Sequence, residues 1–311
     1  MIRSRFGALI AVLALPLIIS CDPPPEPCMQ ELDVAPAGRF GRAIRFCGTG
    51  INDIDRVKIA IDDPTNTVPG PAMDVGATDF TIEWWMRAHP GANRTGAVPC
   101  GENLNWINGN ILIDRDRYNQ GRKYGVSVAG GRIVFGTSGE GDLHRTICGS
   151  IPVADGQWHH VAVQRRISDG YLTVWVDGKL DAEGPGPIGD ISYPDDGVPR
   201  SFCGGPCVNS DPYLVIGAEK HDAGPAWPAY RGWFDELRIS TTLRYAAEFD
   251  VPSGPFQSDS ATAGLWHFDE EEGESVLDSS PHSTHGVLRI GGPFGAPFRE
   301  RSGAGGEGGA L

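Results

Sequence analysis

Two stretches decide the fold, residues 158–163 (WHHVAV) and residues 171–179 (YLTVWVDGK). Both are rich in β-branched and aromatic residues, which favour β-strands. Ser168-Asp169-Gly170 lies between them and has the composition of a tight turn. The two stretches therefore predict an antiparallel hairpin in which each stretch forms one strand.

The same pattern recurs along the chain. Residues 80–87 (FTIEWWMR) alternate, so every second residue from Phe80 to Met86 lies on one predicted face. Gly130-Gly131 predicts the turn of a second tight hairpin. One short helical turn is expected over residues 243–249. The remaining predicted strands cover residues 111–114, 124–128, 132–135, 214–217, 233–240, 265–268 and 286–290.

Several of these stretches resemble the laminin-G-like domains of the concanavalin-A-like superfamily, and they occur in that family's order. The resemblance covers roughly residues 40–298. It implies an all-β fold, a jelly-roll sandwich of two curved antiparallel sheets. The stretches that carry it are 158–179 (similar to WHHVAV…DG-LTVWVDGK), 80–85 (FTIEAW), 232–240 (G-x-IDEVRIS), 242–249 (ARYTSNF) and 264–286 (LWHFDEGSG…DSSGNGNHG).

The N-terminus is expected to be a lipoprotein signal peptide, residues 1–20. Arg3 and Arg5 precede an apolar run that is short for a transmembrane helix. The run ends in Ile18-Ile19-Ser20-Cys21, which resembles a lipobox with Cys21 as the acylated residue. The alternative is an ordinary signal peptide that contains a cysteine. A Pro-rich spacer (21–28), a jelly-roll domain (29–298) and a disordered Gly-rich tail (299–311) are expected to follow.

The cysteine count agrees with export. The chain has seven cysteines, and lipidation of Cys21 leaves an even number. In an oxidising compartment these predict three disulfides, although free thiols or metal binding are alternatives. The simplest assignment pairs the cysteines in chain order, which gives Cys28–Cys47, Cys100–Cys148 and Cys203–Cys207.

The charge limits the partners. The chain carries a formal net charge of −14, which disfavours nucleic acid and anionic lipid as ligands. An acidic surface is compatible with divalent cations. The expected location is a cell membrane, with the protein held there by its lipid anchor and its domain in the periplasm or on the cell surface. Asp22 resembles an inner-membrane retention signal, but inner and outer membrane both stay open.

No catalytic constellation is evident. A glycosidase on this scaffold needs a pair of carboxylates on one strand face. Asp235 and Glu236 are neighbours, so strand alternation predicts that they point to opposite faces. Glu248 and Asp250 are interpreted as solvated loop charges, since Pro252 breaks that stretch. The chain is therefore predicted not to be an enzyme. A divergent glycoside hydrolase or lyase is one alternative, and a purely structural envelope protein is another.

The resemblance implies a calcium ion at the rim of the domain. Asp269 and Asp278 are the candidate ligands, because they flank an acidic turn and calcium prefers several oxygen ligands. The alternatives are that Asp278 caps a turn through backbone N–H groups and that Asp269 is a solvated charge.

Trp227 and Tyr230 are the candidate ligand-binding residues, since exposed aromatic residues in loops stack on sugars. Trp106 is a further loop candidate. The alternative is that these side chains belong to the core, as expected for Trp84 and Trp266. The sequence as a whole predicts a membrane-anchored extracytoplasmic lipoprotein whose non-catalytic domain recognises a glycan or a protein at the cell envelope.

Overall fold

The computed structural model describes residues 38–48, 56–63, 66–117, 119–141, 143–197, 212–221, 224–289 and 301–302. The predicted signal peptide and spacer lie outside these ranges, as do Cys21, Cys28, Cys203 and Cys207. Within the described ranges, no helix is long and apolar enough to cross a membrane.

The described chain forms two antiparallel sheets, as predicted. Sheet I has the strand order β10 (Lys179–Gly184), β9 (Leu172–Val176), β8 (Trp158–Arg165), β3 (Phe80–Arg87), β12 (Gly232–Ser240), β1 (Ala43–Phe46) and β16 (Arg301–Ser302), and β13 (Thr262–Trp266) also pairs with β12. Sheet II has the order β14 (Ser275–Val276), β15 (Gly286–Arg289), β2 (Arg56–Ala60), β11 (Tyr213–Ile216), β4 (Asn110–Arg115), β5 (Lys123–Ala129), β6 (Arg132–Ser138) and β7 (His144–Cys148). A 3-10 helix covers Asn105–Asn108.

The main core lies between the sheets. The predicted inner face of β3, from Phe80 to Met86, is fully buried there. It meets inward residues of sheet II, and Phe80 lies 5.3 Å from Tyr124 between ring centroids. Burial of this apolar surface is the main stabilising contribution to folding. The alternation seen in the sequence therefore identified the core face of β3.

Three sequence predictions need correction. The stretch 171–179 is two strands, because Asp177 and Gly178 have positive φ angles (51° and 78°) and form the turn between β9 and β10. Residues 243–249 are not helical, since the backbone N–H of Tyr245 donates to the side chain of Gln164. In addition, Arg301–Ser302 of the tail predicted to be disordered pair with β1.

Trp106 covers part of the outer face of sheet II. Its side chain is fully buried, so it is not a surface residue. The indole lies over Gly125 and Gly136, where a Cβ atom would overlap the ring. The loop that carries Trp106 is held by the disulfide Cys100–Cys148, which confirms that predicted pair. Cys47 is also disulfide-bonded, but Cys28–Cys47 stays a prediction because Cys28 lies outside the described residues.

A buried carboxylate organises the outer face of sheet I. Glu83 of β3 is fully buried, and Arg238 of β12 donates to its Oε1 from Nε at 2.8 Å and Nη2 at 2.7 Å. The Tyr245 hydroxyl donates to Oε2, and His160 Nε2 lies 3.2 Å from the same atom. Burial alone would raise the pKa of Glu83, but the hydrogen bonds from His160 and Tyr245 and the charge of Arg238 lower it.

The segment 241–257 packs on this face and is held there by hydrogen bonds. Gln164 of β8 accepts hydrogen bonds from the backbone N–H groups of Arg244 and Tyr245, and its own amide donates to the Tyr245 carbonyl. Tyr245 and Phe249 stack with centroids 3.6 Å apart. The segment therefore covers the part of sheet I around Glu83.

We expect Gly125→Ala to destabilise the protein by roughly 1–3 kcal/mol, because the new methyl group overlaps the Trp106 ring in a packed site. Urea unfolding of the purified protein measures this change. Gly254→Ala is the control, since a Cβ at Gly254 meets open space. Equal effects of the two substitutions would contradict the packing of Trp106.

We expect Glu83→Gln to destabilise the protein by about 3–5 kcal/mol near pH 7, because it leaves Arg238 without its buried counter-charge. Because folding lowers the pKa of Glu83 from its ordinary value of 4.5, the stabilisation is complete well above pH 4.5 and is lost as pH falls through the lower folded pKa.

Denaturant unfolding of the Glu83→Gln variant across this pH range tests the prediction, with exposed Glu272→Gln as the charge-matched control. The difference between wild type and Glu83→Gln should shrink in acid. A difference that stays constant with pH would show that the ionised carboxylate is not the stabilising species.

Candidate functional site

The two aromatic candidates occupy different environments. Tyr230 is fully buried, and its hydroxyl donates hydrogen bonds to the carbonyls of Arg87 and Trp233. The prediction that Tyr230 binds ligand is therefore wrong, because the ring packs in the core against Phe46. Trp227 is half-buried in the loop before β12, and it is not among the residues that line the rim cleft described below.

The two candidate calcium ligands belong to separate hydrogen-bond networks. Asp278 is buried, and its carboxylate accepts from the backbone N–H groups of Leu265, Ser280 and Thr284 and from the Ser280 hydroxyl. Exposed Asp269 accepts from the backbone N–H of Arg42. Hydrogen bonds thus satisfy Asp278 as the turn-capping alternative describes. Calcium binding by these two residues stays a prediction that the geometry does not favour.

The expected opposite orientation of Asp235 and Glu236 is wrong. Glu236 has a positive φ of 53° and lies in a β-bulge, which brings both side chains to the outer side of sheet I. Each carboxylate is buried and accepts a backbone N–H, from Phe40 for Asp235 and from Phe256 for Glu236. These contacts make the pair structural, since both side chains are inaccessible to a substrate.

A cleft with a volume of about 720 Å³ lies at one rim of the sandwich. Three segments distant in sequence form it: the β4–β5 loop, the β6–β7 loop and the loop 190–196. Nearly all of its side chains are polar or charged. The lining residues are Arg117, Gln120, Gly121, Arg122, Glu140, Asp190, Pro194, Asp195 and Asp196.

The cleft holds two guanidinium groups in fixed positions. Arg122 Nη2 donates to Asp190 at 2.6 Å and to the Ser192 hydroxyl at 3.0 Å. Arg117 donates to the Gly121 carbonyl and lies 5.4 Å from the centroid of Tyr193. Such preset donors can bind hydroxyl, carboxylate or phosphate groups at little cost in side-chain entropy.

Asp190 is ionised in this arrangement. Burial disfavours its charged form, but the hydrogen bonds from Ser192 and the charge of Arg122 outweigh that effect and lower its pKa. A general acid needs the opposite shift, toward neutral pH. The ion pair therefore suits ligand positioning rather than proton donation.

A buried charge cluster adjoins the cleft through Asp116, the residue before Arg117. Carboxylate oxygens of Asp116 and Glu219 and a ring nitrogen of His221 all lie within 4.8 Å of one another. Asp114 lies beside them, and burial followed by the charges of Glu219 and Asp116 raises its pKa to about 8. Lys123 Nζ lies 2.7 Å from Asp116 Oδ1.

This cluster does not fit calcium. An imidazole ligand suits zinc and other transition metals, whereas calcium takes oxygen ligands. The Lys123 ammonium also neutralises the Asp116 carboxylate, so a bound metal ion would have to compete with Lys123 for that carboxylate. We therefore interpret the cluster as a structural network in which opposite charges neutralise each other and hold the ends of β4 and β5 in place.

Sequence reasoning missed the cleft because its residues form no local motif. The Gly-containing loop after β4 and the acidic run Asp195-Asp196 were the available signals, and nothing in the sequence indicated that they meet.

Residues 62–249 match a laminin G family model described as concanavalin A-like lectin/glucanases superfamily. The match spans more than half of the 311-residue chain. The chain belongs to this family. No curated protein matches it.

Many solved structures have a similar fold, and three of them come from different organisms. A Bacteroides ovatus protein, provisionally named as carbohydrate binding, has a TM-score of 0.49 at 14% identity, with 80% of this chain and 58% of that chain covered. A heptameric pentraxin from Limulus polyphemus has a TM-score of 0.44 at 14% identity, with 83% and 99% covered. Mouse laminin α1 domains LG4-5 have a TM-score of 0.39 at 14% identity, with 71% and 48% covered. The chain thus spans little more than half of the Bacteroides protein.

Proposed function

We propose that this protein is an extracytoplasmic lipoprotein whose laminin-G-like domain binds glycan in the rim cleft, without catalysis. The observation that carries the proposal is the cleft itself, a polar recess whose guanidinium and carboxylate groups are held in place. Glycans present many hydroxyl groups, and acidic glycans add carboxylates or sulfates. Fixed donors and acceptors of this kind match that chemistry.

The faces of the sheets offer less room for a ligand. The segment 241–257 covers the part of sheet I around Glu83, and the loop with Trp106 covers part of sheet II. Ligand sites concentrate on loops that a rigid scaffold positions, and the rim cleft is of this kind. The covered sheet faces and the position of the cleft on loops therefore both favour a ligand site at the rim rather than on a sheet face.

The absence of catalysis is part of the proposal. Within the cleft, Asp190 has a lowered pKa and forms an ion pair with Arg122, so it is a poor proton donor. The adjacent pair Asp235 and Glu236 is buried on the other sheet. A glycan that is bound and then cleaved would contradict this part of the proposal.

We expect the purified protein to bind at least one member of a panel of neutral, acidic and cell-wall glycans. Arg122→Gln should weaken that binding roughly tenfold or more, because it removes a charge-assisted hydrogen bond to the ligand. Arg132→Gln is the control, since Arg132 is exposed at the opposite end of β6. Array binding followed by titration calorimetry measures both.

Two outcomes would contradict the glycan proposal. Absence of binding across the whole panel would favour a protein partner or a structural role instead of a glycan ligand. Binding that Arg122→Gln and Arg132→Gln weaken equally would place the glycan site outside the cleft.

The lipid anchor is proposed from the sequence, since Cys21 lies outside the described residues. We expect Cys21→Ser to move the protein from the membrane fraction to the soluble fraction, because it removes the acylated residue. Ser20→Ala is the control, since a small residue before the cysteine is retained. Immunoblotting of membranes after a carbonate wash measures the distribution. A Cys21→Ser protein that still pellets with membranes would show that lipidation is not the anchor.

A further inference from the structure

Arg145, on β7, has a guanidinium group that pairs with nothing in the described part of the chain. Its side chain forms no hydrogen bond and no ion pair there, and its Nε atom is buried without an acceptor. An unpaired cation is unexpected in a chain that has 40 aspartates and glutamates for 26 lysines and arginines. Buried donors normally have acceptors, so the unused donors of Arg145 indicate that an anion from outside the chain completes this site.

Arg145 lines a recess with a volume of about 220 Å³ beside the loop between β6 and β7. The recess is smaller than the clefts that hold drug-sized ligands, and it matches a group of about one ring. Leu143, Pro185 and Pro187 supply an apolar part of its wall, whereas Glu102 and Arg145 supply charge. None of these residues lines the rim cleft, so the recess is a separate site.

The backbone around the recess fixes both the guanidinium and the apolar wall. A Cβ atom placed on Gly184 would lie 3.5 Å from Nη2 and 3.8 Å from Nε of Arg145, so the guanidinium packs directly on the chain there. A Cβ atom placed on Gly139 would lie 2.9 Å from the Cβ of Pro187 and 3.7 Å from the Cβ of Leu143. These two side chains therefore lie close together on one side of the recess. A site that is formed in advance binds its ligand at a lower entropic cost.

The loop that carries Glu102 is also held in place. Gly101 and Thr146 exchange two backbone hydrogen bonds, at 2.9 and 2.8 Å, and the disulfide to Cys148 closes the same loop. Glu102 is exposed and forms no ion pair with Arg145, so it does not neutralise the guanidinium. It does oppose the entry of ligands that carry more than one negative charge.

We propose that this recess binds a carboxylate carried on a single ring, and that Arg145 is the residue that binds the carboxylate. A guanidinium group binds a carboxylate through two parallel hydrogen bonds. The ring then packs against Leu143, Pro185 and Pro187, which removes apolar surface from water. Glu102 makes a singly charged carboxylate a better ligand than a doubly charged phosphate ester. Aromatic acids and the uronic acid units of glycans share this chemistry.

The site does not depend on the proposed function of the rim cleft. Its ligands are single-ring acids, and the atom that reports binding is Nε of Arg145, which lies outside that cleft. Glycan binding at the cleft and carboxylate binding at the recess are therefore measured separately, and either one can fail without the other.

The test is NMR of the isotope-labelled protein at low ionic strength, titrated with sodium benzoate and with sodium glucuronate. The Nε–Hε signal of Arg145, identified by its loss in Arg145→Gln, should shift and saturate with at least one of the two acids. Benzamide and glucose are the neutral counterparts and should give no saturable shift. The acid that binds more tightly shows whether the source of the carboxylate is an aromatic acid or an acidic sugar.

Two substitutions test the two parts of the site. Arg145→Gln should weaken carboxylate binding roughly tenfold or more, measured on the backbone signals of β7, because it removes the charge-assisted hydrogen bonds. Leu143→Ser should weaken it roughly threefold or more, because it removes apolar contact with the ring. Leu143 is 61% exposed, so this variant keeps the test valid if Arg145→Gln fails to fold. The controls are Arg94→Gln and Val68→Ser, which change exposed residues outside the recess.

Three results would overturn the proposal. The first is a wild-type protein in which neither acid shifts the Arg145 signal, or in which benzamide and glucose shift it equally. The second is carboxylate binding that Arg145→Gln and Leu143→Ser weaken no more than their controls do, which would place the acid elsewhere. The third is tighter binding of phenyl phosphate than of benzoate, which would contradict the choice of a singly charged carboxylate.

Discussion

The charge of Glu83 has to be satisfied inside the protein, and much of sheet I is arranged around that requirement. A fully buried carboxylate is tolerated only when charge and hydrogen bonds surround it. Arg238, His160 and Tyr245 meet this need, and they come from β12, β8 and the segment 241–257. The stretches that resemble the laminin-G-like family thus converge on one carboxylate, which links adjacent strands to the segment that covers them.

This arrangement has a consequence for function. Because the segment 241–257 packs over sheet I and Trp106 packs over sheet II, we look for the ligand at the rim, where the described loops form an accessible polar recess. Two acidic side chains at this rim have counter-charges in the described part of the chain, because Asp190 pairs with Arg122 and Asp116 pairs with Lys123.

The sequence predicted the strands well because strand alternation is a local signal, and the resemblance to the laminin-G-like family supplied the jelly-roll arrangement. β3 shows this, since every second residue from Phe80 to Met86 joins the core between the sheets, whereas Trp85 packs in a separate cluster. The predictions that were wrong depend on contacts between distant parts of the chain. Glu236 turns outward because of a bulge, and Tyr230 is buried because its loop folds against Ile111. The cleft joins residues near 120, 140 and 195, and no pattern in a single sequence shows that such loops meet.

Native-state amide hydrogen exchange tests most directly whether the segment 241–257 and sheet I form one unit. The backbone N–H groups of Arg244, Tyr245 and Phe256 are the probes, since each donates to a side chain of sheet I. The account predicts that they open with free energies close to those of β3 and β12. Exchange as fast as that of exposed loops would show that the segment detaches readily and that the face around Glu83 is open to ligands.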